Sequence, residues 1–529
     1  MRIRALAGLV TLSSMLSVIG GVAPANAASD QADLFGPAPF AATAQSMWQT
    51  DNVVFALDYR NGILYAGGSF ANVRPPGAAP GHAEEPQANV AAFDAATGEF
   101  ISSWRPKLNG TVFALKVSPD GSRLYIGGDF TKVDDSNRLH VAAFDLTDPR
   151  NPALLDGTAF AARTSGRVYA IAASDTTLYV GGTFAYAGGE ERGRVAAFDA
   201  ADGSLLPFVT TVTGGFIQRP TSVQALALSS SGQLFVGGMF DEVNGEASHA
   251  LAAVNPLTGQ FLTTFTAPHI LEKSTVTTMT VNLGTLYVAG RTDRTPSKDR
   301  LEGVMAMDEN TGAIVFGADG ERCLGDSFAT LVLDSTLWVG THAHDCRTLG
   351  GWHNRNPRVF MSVLAQSATT GALKQFFPDS SGTGSIPGSF YNTRALATDG
   401  TRLFVGGGFA KIGGVTQENL AIFSPDAPSA PPRKPVATAE IRSTDGGSTV
   451  YVRWETTFDT DTRDLTYTVR RDGVAEPIAS KLRTSEFWEP LKMHAKDTNV
   501  HSGESLTYSV EVSDGTTTIV STKVTIVVP

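Results

Sequence analysis

The sequence predicts an all-β protein, a seven-bladed β-propeller followed by a small β-sandwich. Three observations carry this. First, one phrase returns seven times, at 64–70 (LYAGGSF), 124–130 (LYIGGDF), 178–184 (LYVGGTF), 234–240 (LFVGGMF), 286–292 (LYVAGRT), 337–343 (LWVGTHA) and 403–409 (LFVGGGF). Its first-glycine position falls at 67, 127, 181, 237, 289, 340 and 406, a spacing of 51 to 66 residues. A period of this length, rich in strand formers, belongs to units that bury their faces only against neighbours. Second, each good copy parses into four short strands. In the second copy these begin with Val112 to Val117, turn at Pro119-Asp120-Gly121, continue through 124–128, and resume at 140–145 after a loop. Third, the composition turns proline-rich at 425–435 (PDAPSAPPRKP), and the repeat phrase does not return after it. This marks a semi-rigid linker.

The boundaries follow. Arg2 and Arg4, the apolar run 6–22 and Ala25-Asn26-Ala27 form a secretory signal peptide over 1–27. Polar Thr11, Ser13, Ser14 and Ser17 interrupt that run, and no apolar tail precedes Pro529, so no transmembrane anchor is expected after cleavage. A short segment, 28–39, leads into the propeller at 40–425; the linker covers 426–435 and the sandwich 436–529. The last repeat lacks a fourth strand. Ser46-Met47-Trp48 precedes Val54 much as Ser102-Ser103-Trp104 precedes Val112. An N-terminal strand is therefore expected to complete the seventh blade and close the ring, which removes two exposed sheet edges.

The repeated residues are mostly architecture. The paired glycines let neighbouring backbones approach or absorb a bulge. They are not a phosphate cradle, since neither a helix nor a lysine follows them. Asp94, Asp199, Asn255 and Asp308 each precede a Thr-Gly or Asp-Gly pair, the chemistry of a tight turn rather than of catalytic carboxylates. The net charge of −11 argues against nucleic acid. The two cysteines, Cys323 and Cys346, fall in the exported part, where a disulfide is expected. It would close a loop worth roughly 3 kcal/mol in the chain-entropy model. Free thiols or a metal pair are the alternatives.

The phrase V-x-A-L…LYVGGxF…AAFD..TG resembles the delta-60 type β-propeller repeat of secreted actinobacterial proteins, over about residues 40–425. The C-terminal part is similar to fibronectin type III domains, with Trp454 at that family's early-strand tryptophan, Tyr467 in the next strand and Tyr508 near the tyrosine corner. These resemblances imply an exported surface or wall-associated protein. They imply no settled activity and carry no catalytic residues over.

The site is expected on the face where second-to-third strand loops and the connections into each next blade converge. Blade six departs furthest from the repeat, reading Gly340-Thr341-His342-Ala343-His344-Asp345-Cys346 and running on through Trp352, His353 and Asn354 to Arg358. Three of the nine histidines lie within 342–353. His342, His344 and Asp345 are ordinary zinc ligands. An extended chain, however, turns Asp345 away from the two histidines. Trp352, flanked by polar side chains that include His353 and Arg358, could cover a sugar's apolar face. The plainest alternative is a disulfide-braced loop with hydrogen-bonded histidines. The blade-one insertion, 74–89, carries His82, Glu84 and Glu85 and reads as a mobile loop. Arg138, Arg194 and Arg358 could form a partial anion-binding ring, or pair with Asp134, Asp135, Glu190 and Glu191.

Neither a G-x-S-x-G elbow nor an H-E-x-x-H helix is present. No cofactor is predicted; bound calcium or zinc stays open, although the D-x-D-x-D-G calcium loop is missing. The expectation is a secreted or cell-wall recognition protein binding an extracellular polysaccharide, the cell wall or another surface protein. A polysaccharide-active hydrolase or lyase using face carboxylates is the alternative, and a purely structural surface protein is a third.

Overall fold

The computed structural model describes residues 35–215, 220–267, 269–270, 273–292, 301–318, 320–354, 359–381, 393–444 and 447–529. The signal peptide expected at 1–27 lies outside the described residues, as does Arg358. The chain is all-β. A three-residue 3-10 turn, Arg347–Leu349, is the one helical element among the described residues.

Seven antiparallel sheets follow one another, each containing one copy of the repeat phrase as its second strand. The first is Val54–Arg60, Ile63–Gly68 and Val90–Asp94. The second adds an outer strand, Ala153–Leu154, to Val112–Val117, Arg123–Gly128 and Val141–Asp145. The seventh is Thr393–Thr398, Leu403–Gly407 and Leu420–Phe423. The first strand of every sheet packs against the first strand of the next, and the seventh packs back on the first. The seven sheets therefore form a closed ring around an axis.

The repeated residues show why the ring forms. A Cβ on Gly67 would lie 2.5 Å from Val112 Cγ1 of the next sheet; Gly127 faces Val168, and Gly181 faces Val223, at the same 2.5 Å. The first glycine thus leaves a slot for the branched residue that starts the neighbouring sheet. The fifth sheet has Ala289 in place of glycine, and there the sixth sheet begins with the smaller Ser327 in place of valine. The second glycine avoids a carbonyl, since a Cβ on Gly128 would sit 2.0 Å from Thr111 O. In the sixth sheet Thr341 occupies that position, and its hydroxyl donates to the matching carbonyl, Asp326 O, at 3.0 Å. The tyrosine of the phrase stitches sheets together: Tyr65 Oη donates to Pro149 O, Tyr125 Oη to Ala200 O and Tyr179 Oη to Pro256 O. Each acceptor lies in the outer turn of the next sheet. The Asp94 type of turn is structural as expected, with Asp94 Oδ1 accepting from Ala96 N and Thr97 N and Gly98 at φ 72°.

The outer edge is thinner than four strands per sheet. In the first, third, fourth and sixth sheets the fourth strand shrinks to one bridging pair, such as Phe93 with Phe100. The chain leaves that edge early because Trp104 turns inward, packing edge-on against Tyr65 and Phe144 at 5.9 and 5.3 Å. Closure by the N-terminal segment is also slighter than a strand. Gln45 bridges Ile422, and the join is completed by Gln417 Nε2 to Met47 O, Glu418 N to Gln49 Oε1 and Asn419 Nδ2 to Thr50 O. The insertion at 74–89 is pinned at its base rather than free, for buried Arg74 pairs with Glu418 at 2.5 Å across the join.

Beyond 436, two sheets share one core. Ala437–Thr444, Gly447–Glu455 and Lys492–Asp497 form one; Ala479–Thr484, Asp464–Arg471, Ser505–Ser513, Thr518–Val520 and Val524–Val527 form the other. Trp454, Tyr467 and Tyr508 are buried between them, and Tyr508 Oη donates to Asp497 Oδ2 at 2.8 Å.

Candidate functional site

In every one of the seven sheets, pairing between the first and second strands slips by one residue. The slip falls between Val54 and Ala56, Val112 and Ala114, Val168 and Ala170, Val223 and Ala225, Val276 and Thr278, Ser327 and Ala329, and Thr393 and Ala395. A bulge of this kind re-aims the extra side chain. The extra residues are Phe55, Phe113, Tyr169, Gln224, Thr277, Phe328 and Arg394, and all seven line one cavity of about 350 Å³ at the centre of the ring. Its remaining wall is Thr183, Pro220, Ser222, Met239 and Arg291. These lie where second strands end and first strands begin, so the cavity opens on the face the sequence singles out. The same seven residues also bound a second space of about 210 Å³, walled further along the first strands by Leu57, Leu115, Ile171, Leu226, Met279 and Leu396. The ring is thus a diaphragm between two chambers.

Four of its members are aromatic, and three adjacent pairs touch. Phe55 and Phe113 have centroids 5.4 Å apart, Phe113 and Tyr169 5.1 Å, and the Arg394 guanidinium lies 3.7 Å from the Phe328 centroid. Beside this wall His342 occupies the x position of its GGxF phrase, the position held by Arg291 in the fifth sheet. Its ring lies 6.3 Å from Phe328 and 6.1 Å from Phe360. Burial, helped by the Arg394 charge, holds the His342 imidazole down at about 4, so it is neutral at neutral pH. One step outward, His344 Nε2 is 3.8 Å from Glu302 Oε1. Burial, reinforced by the Asp326 charge and opposed by Arg322, pushes the Glu302 carboxyl up to about 7.

Among the described residues, the candidates of the sixth sheet do not converge on one point. His342 and His344 approach the pocket wall, with centroids 6.1 Å apart. Asp345 turns to Arg347, whose Nη2 is 2.8 Å from its Oδ2. Burial pushes that carboxyl up, but hydrogen bonds from Arg347 outweigh it and hold it below the ordinary range. No group of three or more His, Cys, Asp or Glu placed to hold a metal occurs among the described residues. The Trp352 platform is corrected outright. Trp352 is 1% exposed, packed edge-on to Phe377 at 5.7 Å and against Phe487 and Trp488 at 5.6 and 6.1 Å. These apolar partners, Phe487 and Trp488 more than a hundred residues away, take the ring out of the surface. His353 is exposed beside it. Arg138 and Arg194 form no ring either. Arg138 donates to Asn137 O and Leu155 O, and Arg194 to Thr221 O.

Cys323 and Cys346 are joined in a disulfide. It lies directly beside the bridge between Leu324 and Asp345, so it fastens the chain on its way into the sixth sheet to the loop leaving that sheet's second strand. Sequence reasoning missed the seven-residue ring, although its signal was present as the x of V-x-A-L.

No family model and no curated protein matches the chain. Among solved structures it is similar to the extracellular domain of a hybrid two-component system from B. thetaiotaomicron, at 11% identity and a TM-score of 0.41, covering 93% of this chain and 60% of that one. It is also similar to a chain of the mitotic checkpoint complex, at 14% identity and a TM-score of 0.42, covering 78% of this chain and 99% of that one. No helix among the described residues is long and apolar enough to cross a membrane.

Proposed function

We propose that this chain is a secreted or cell-wall-associated recognition protein. In this reading the closed ring is a seven-bladed β-propeller of delta-60 repeat type, and the C-terminal pair of sheets is a fibronectin type III-like sandwich. The propeller's axial pocket binds an extracellular glycan. The observation that carries the reading is the ring of seven bulged residues. Four aromatic side chains beside Gln224, Thr277 and Arg394 combine apolar surface for sugar C–H faces with donors for hydroxyls. Support for an oxidising compartment comes from the disulfide. A second reading, a polysaccharide-active hydrolase or lyase, would draw on Glu302, a buried carboxyl 3.8 Å from His344 whose affinity for its proton burial raises, although Glu302 is not among the residues lining the pocket.

The test is retention of the purified chain on a panel of immobilised polysaccharides and cell walls, with soluble products measured in the same samples. Retention without products, lost in Phe113→Ala and kept in Trp352→Ala, supports recognition at the pocket. Product release that Glu302→Gln abolishes favours the enzyme. Retention that survives Phe113→Ala removes the pocket from the reading.

A further inference from the structure

We infer that the loop at 458–461 in the C-terminal pair of sheets is a proton-operated latch on the ring. With a proton, Asp459 donates to Asp461 and the joint is shut; without it, two carboxylates face each other, and the joint and the ring's N-terminal seam loosen. The inference stands apart from the glycan reading, because it concerns the joint and not the axial pocket.

The geometry makes this loop the meeting point of three distant stretches. From the stretch after the sixth sheet, Gln375 Nε2 donates to Asp459 O at 3.1 Å and Phe377 N to Thr460 O at 2.9 Å. From the N-terminal segment, Ala42 N donates to Asp461 Oδ2 at 3.0 Å. From the linker, Ala430 N donates to the same oxygen at 3.0 Å and Ser429 Oγ to Asp461 Oδ1 at 2.6 Å. Phe458 completes the contact by packing on Phe377 and Phe487, with centroids 6.2 and 4.9 Å away. Ala42 leads directly to Gln45, which bridges Ile422 of the seventh sheet, so whatever loosens Asp461 loosens the seam.

The two carboxylates have different surroundings. Asp461 is the acceptor of the pair, with donors from the ring and the linker on both of its oxygens. Asp459 is 1% exposed. Its Oδ1 accepts from Asp461 N and Thr462 N, each at 2.9 Å, whereas its Oδ2 is buried without a donor. The group acting on that carboxyl is another acceptor, the Asp461 carboxylate. A protonated carboxyl can donate and an ionised one cannot, so a proton on Asp459 is what satisfies both. Burial pushes the Asp459 carboxyl up to about 7; the bonds from Asp461 N and Thr462 N oppose this, and the Asp461 charge reinforces it. The cations around the loop are engaged elsewhere. Arg463 pairs with Glu486 at 2.7 Å and lies over the Phe35 ring, Arg433 pairs with Asp379 at 3.1 Å, and Lys374 Nζ donates to Thr336 Oγ1 at 2.6 Å. Asp426, Asp464 and Glu489 are exposed, and residues 35–50 carry no ionisable side chain.

The sign follows from linkage. The shut joint holds the Asp459 proton more tightly than the open one, where the carboxyl has its ordinary value of 3.8. Closure is therefore strongest below about pH 4, weakens as pH rises toward about 7 and is constant above that.

Limited proteolysis of the intact mature chain at 425–436, normalised at each pH to an unstructured control peptide, reads the open population. Wild-type cleavage is expected to be at least about tenfold faster at pH 7.5 than at pH 5, and level above that. Asp459→Asn keeps the acceptor for Asp461 N and Thr462 N and donates to Asp461 at every pH, so its cleavage should stay slow and change less than about twofold over the same range. Asp461→Asn removes the facing charge and should shrink the wild-type step at least about threefold, which keeps the test decisive if one variant folds poorly. Unfolding midpoints at pH 5 check both variants. Glu302 and His342 titrate in all three chains, so the difference between them isolates Asp459. A wild-type rate that does not change with pH overturns the inference, as does an undiminished step in Asp459→Asn. Slow wild-type cleavage at pH 7.5 restored by calcium, and reversed by a chelator, replaces the proton with a bound cation and also overturns it.

Discussion

Gly181 and Val223 fit as slot and peg: a methyl group on the glycine would lie 2.5 Å from Val223 Cγ1 in the next sheet. Gly181→Ala is therefore expected to destabilise the ring by about 1–3 kcal/mol through overpacking. Adding Val223→Ala should recover part of that loss, because the chain itself joins Ala289 to a sheet that begins with Ser327. A double-mutant cycle in urea would show a coupling of about 1 kcal/mol or more. Strict additivity would mean that the contact is not the constraint.

Reducing the Cys323–Cys346 bridge should lower stability by roughly 3 kcal/mol on the chain-entropy account. The 323–346 segment should open before the rest of the ring. Hydrogen exchange with and without reductant reads this directly. Equal protection of the segment in both states would show that the hydrogen bonds flanking Leu324 and Asp345 suffice.

Trp352→Ala should act on the joint with the C-terminal sheets. Trp352 belongs to a cluster with Phe35, Phe377, Phe458, Phe487 and Trp488. Its loss is expected to cost about 3–5 kcal/mol and to speed proteolysis near residues 425–436. Ligand retention at the axial pocket should not change. Lost retention with an unaltered cleavage rate would return Trp352 to the binding surface.

Glu302 and His342 should tilt stability with pH in opposite senses. The raised Glu302 value means that its contribution is full below about pH 4.5 and fades as pH climbs to about 7. His342 is depressed from 6.5 to about 4, so the folded state resists its protonation and stability grows as pH rises through that window. The wild-type profile should be nearly flat between about pH 4.5 and 6.5 with regard to these two groups. Glu302→Gln should leave a rise and His342→Gln a fall, each with a slope near 1.4 kcal/mol per pH unit. Equal profiles in both variants would refute the opposition. Asp326, Arg322, His344 and Arg394 face these groups and should be left intact in both variants.

The sequence made the repeat legible because strand, turn and close-contact residues recur on a fixed period. Gly127 makes the close approach, and Asp199 the turn, that recurrence alone suggested, whereas the stitching role of Tyr179 appears only in the structure. The pocket was less legible for the opposite reason. A binding wall is built from positions where repeats differ, so Phe55, Gln224, Thr277 and Arg394 share a position and no chemistry. Irregularity also misled at Trp352, since a lone aromatic in a polar loop looks like a platform until Phe487 and Trp488 are folded against it. The disulfide was readable from cysteine number and the expected compartment, and strand alternation already turned Asp345 away from His342 and His344; what only the structure supplies is Arg347 as the partner it turns to.

The joining of the two ends sets an order of events. Ala42 N donates to Asp461 Oδ2 across 419 positions, and Gln417 Nε2 to Met47 O across 370. In a chain made from its N-terminus, Trp48 and Gln49 meet Gly98 and Arg74 early, whereas Gln45 and Met47 wait for residues 417–422, roughly 20 to 75 seconds at about 5–20 residues per second. Until then the first and seventh sheets have bare flanks facing each other. The ring cannot be finished piece by piece; its final seam shuts after nearly the whole polypeptide is present, and a truncation at either end leaves the same gap.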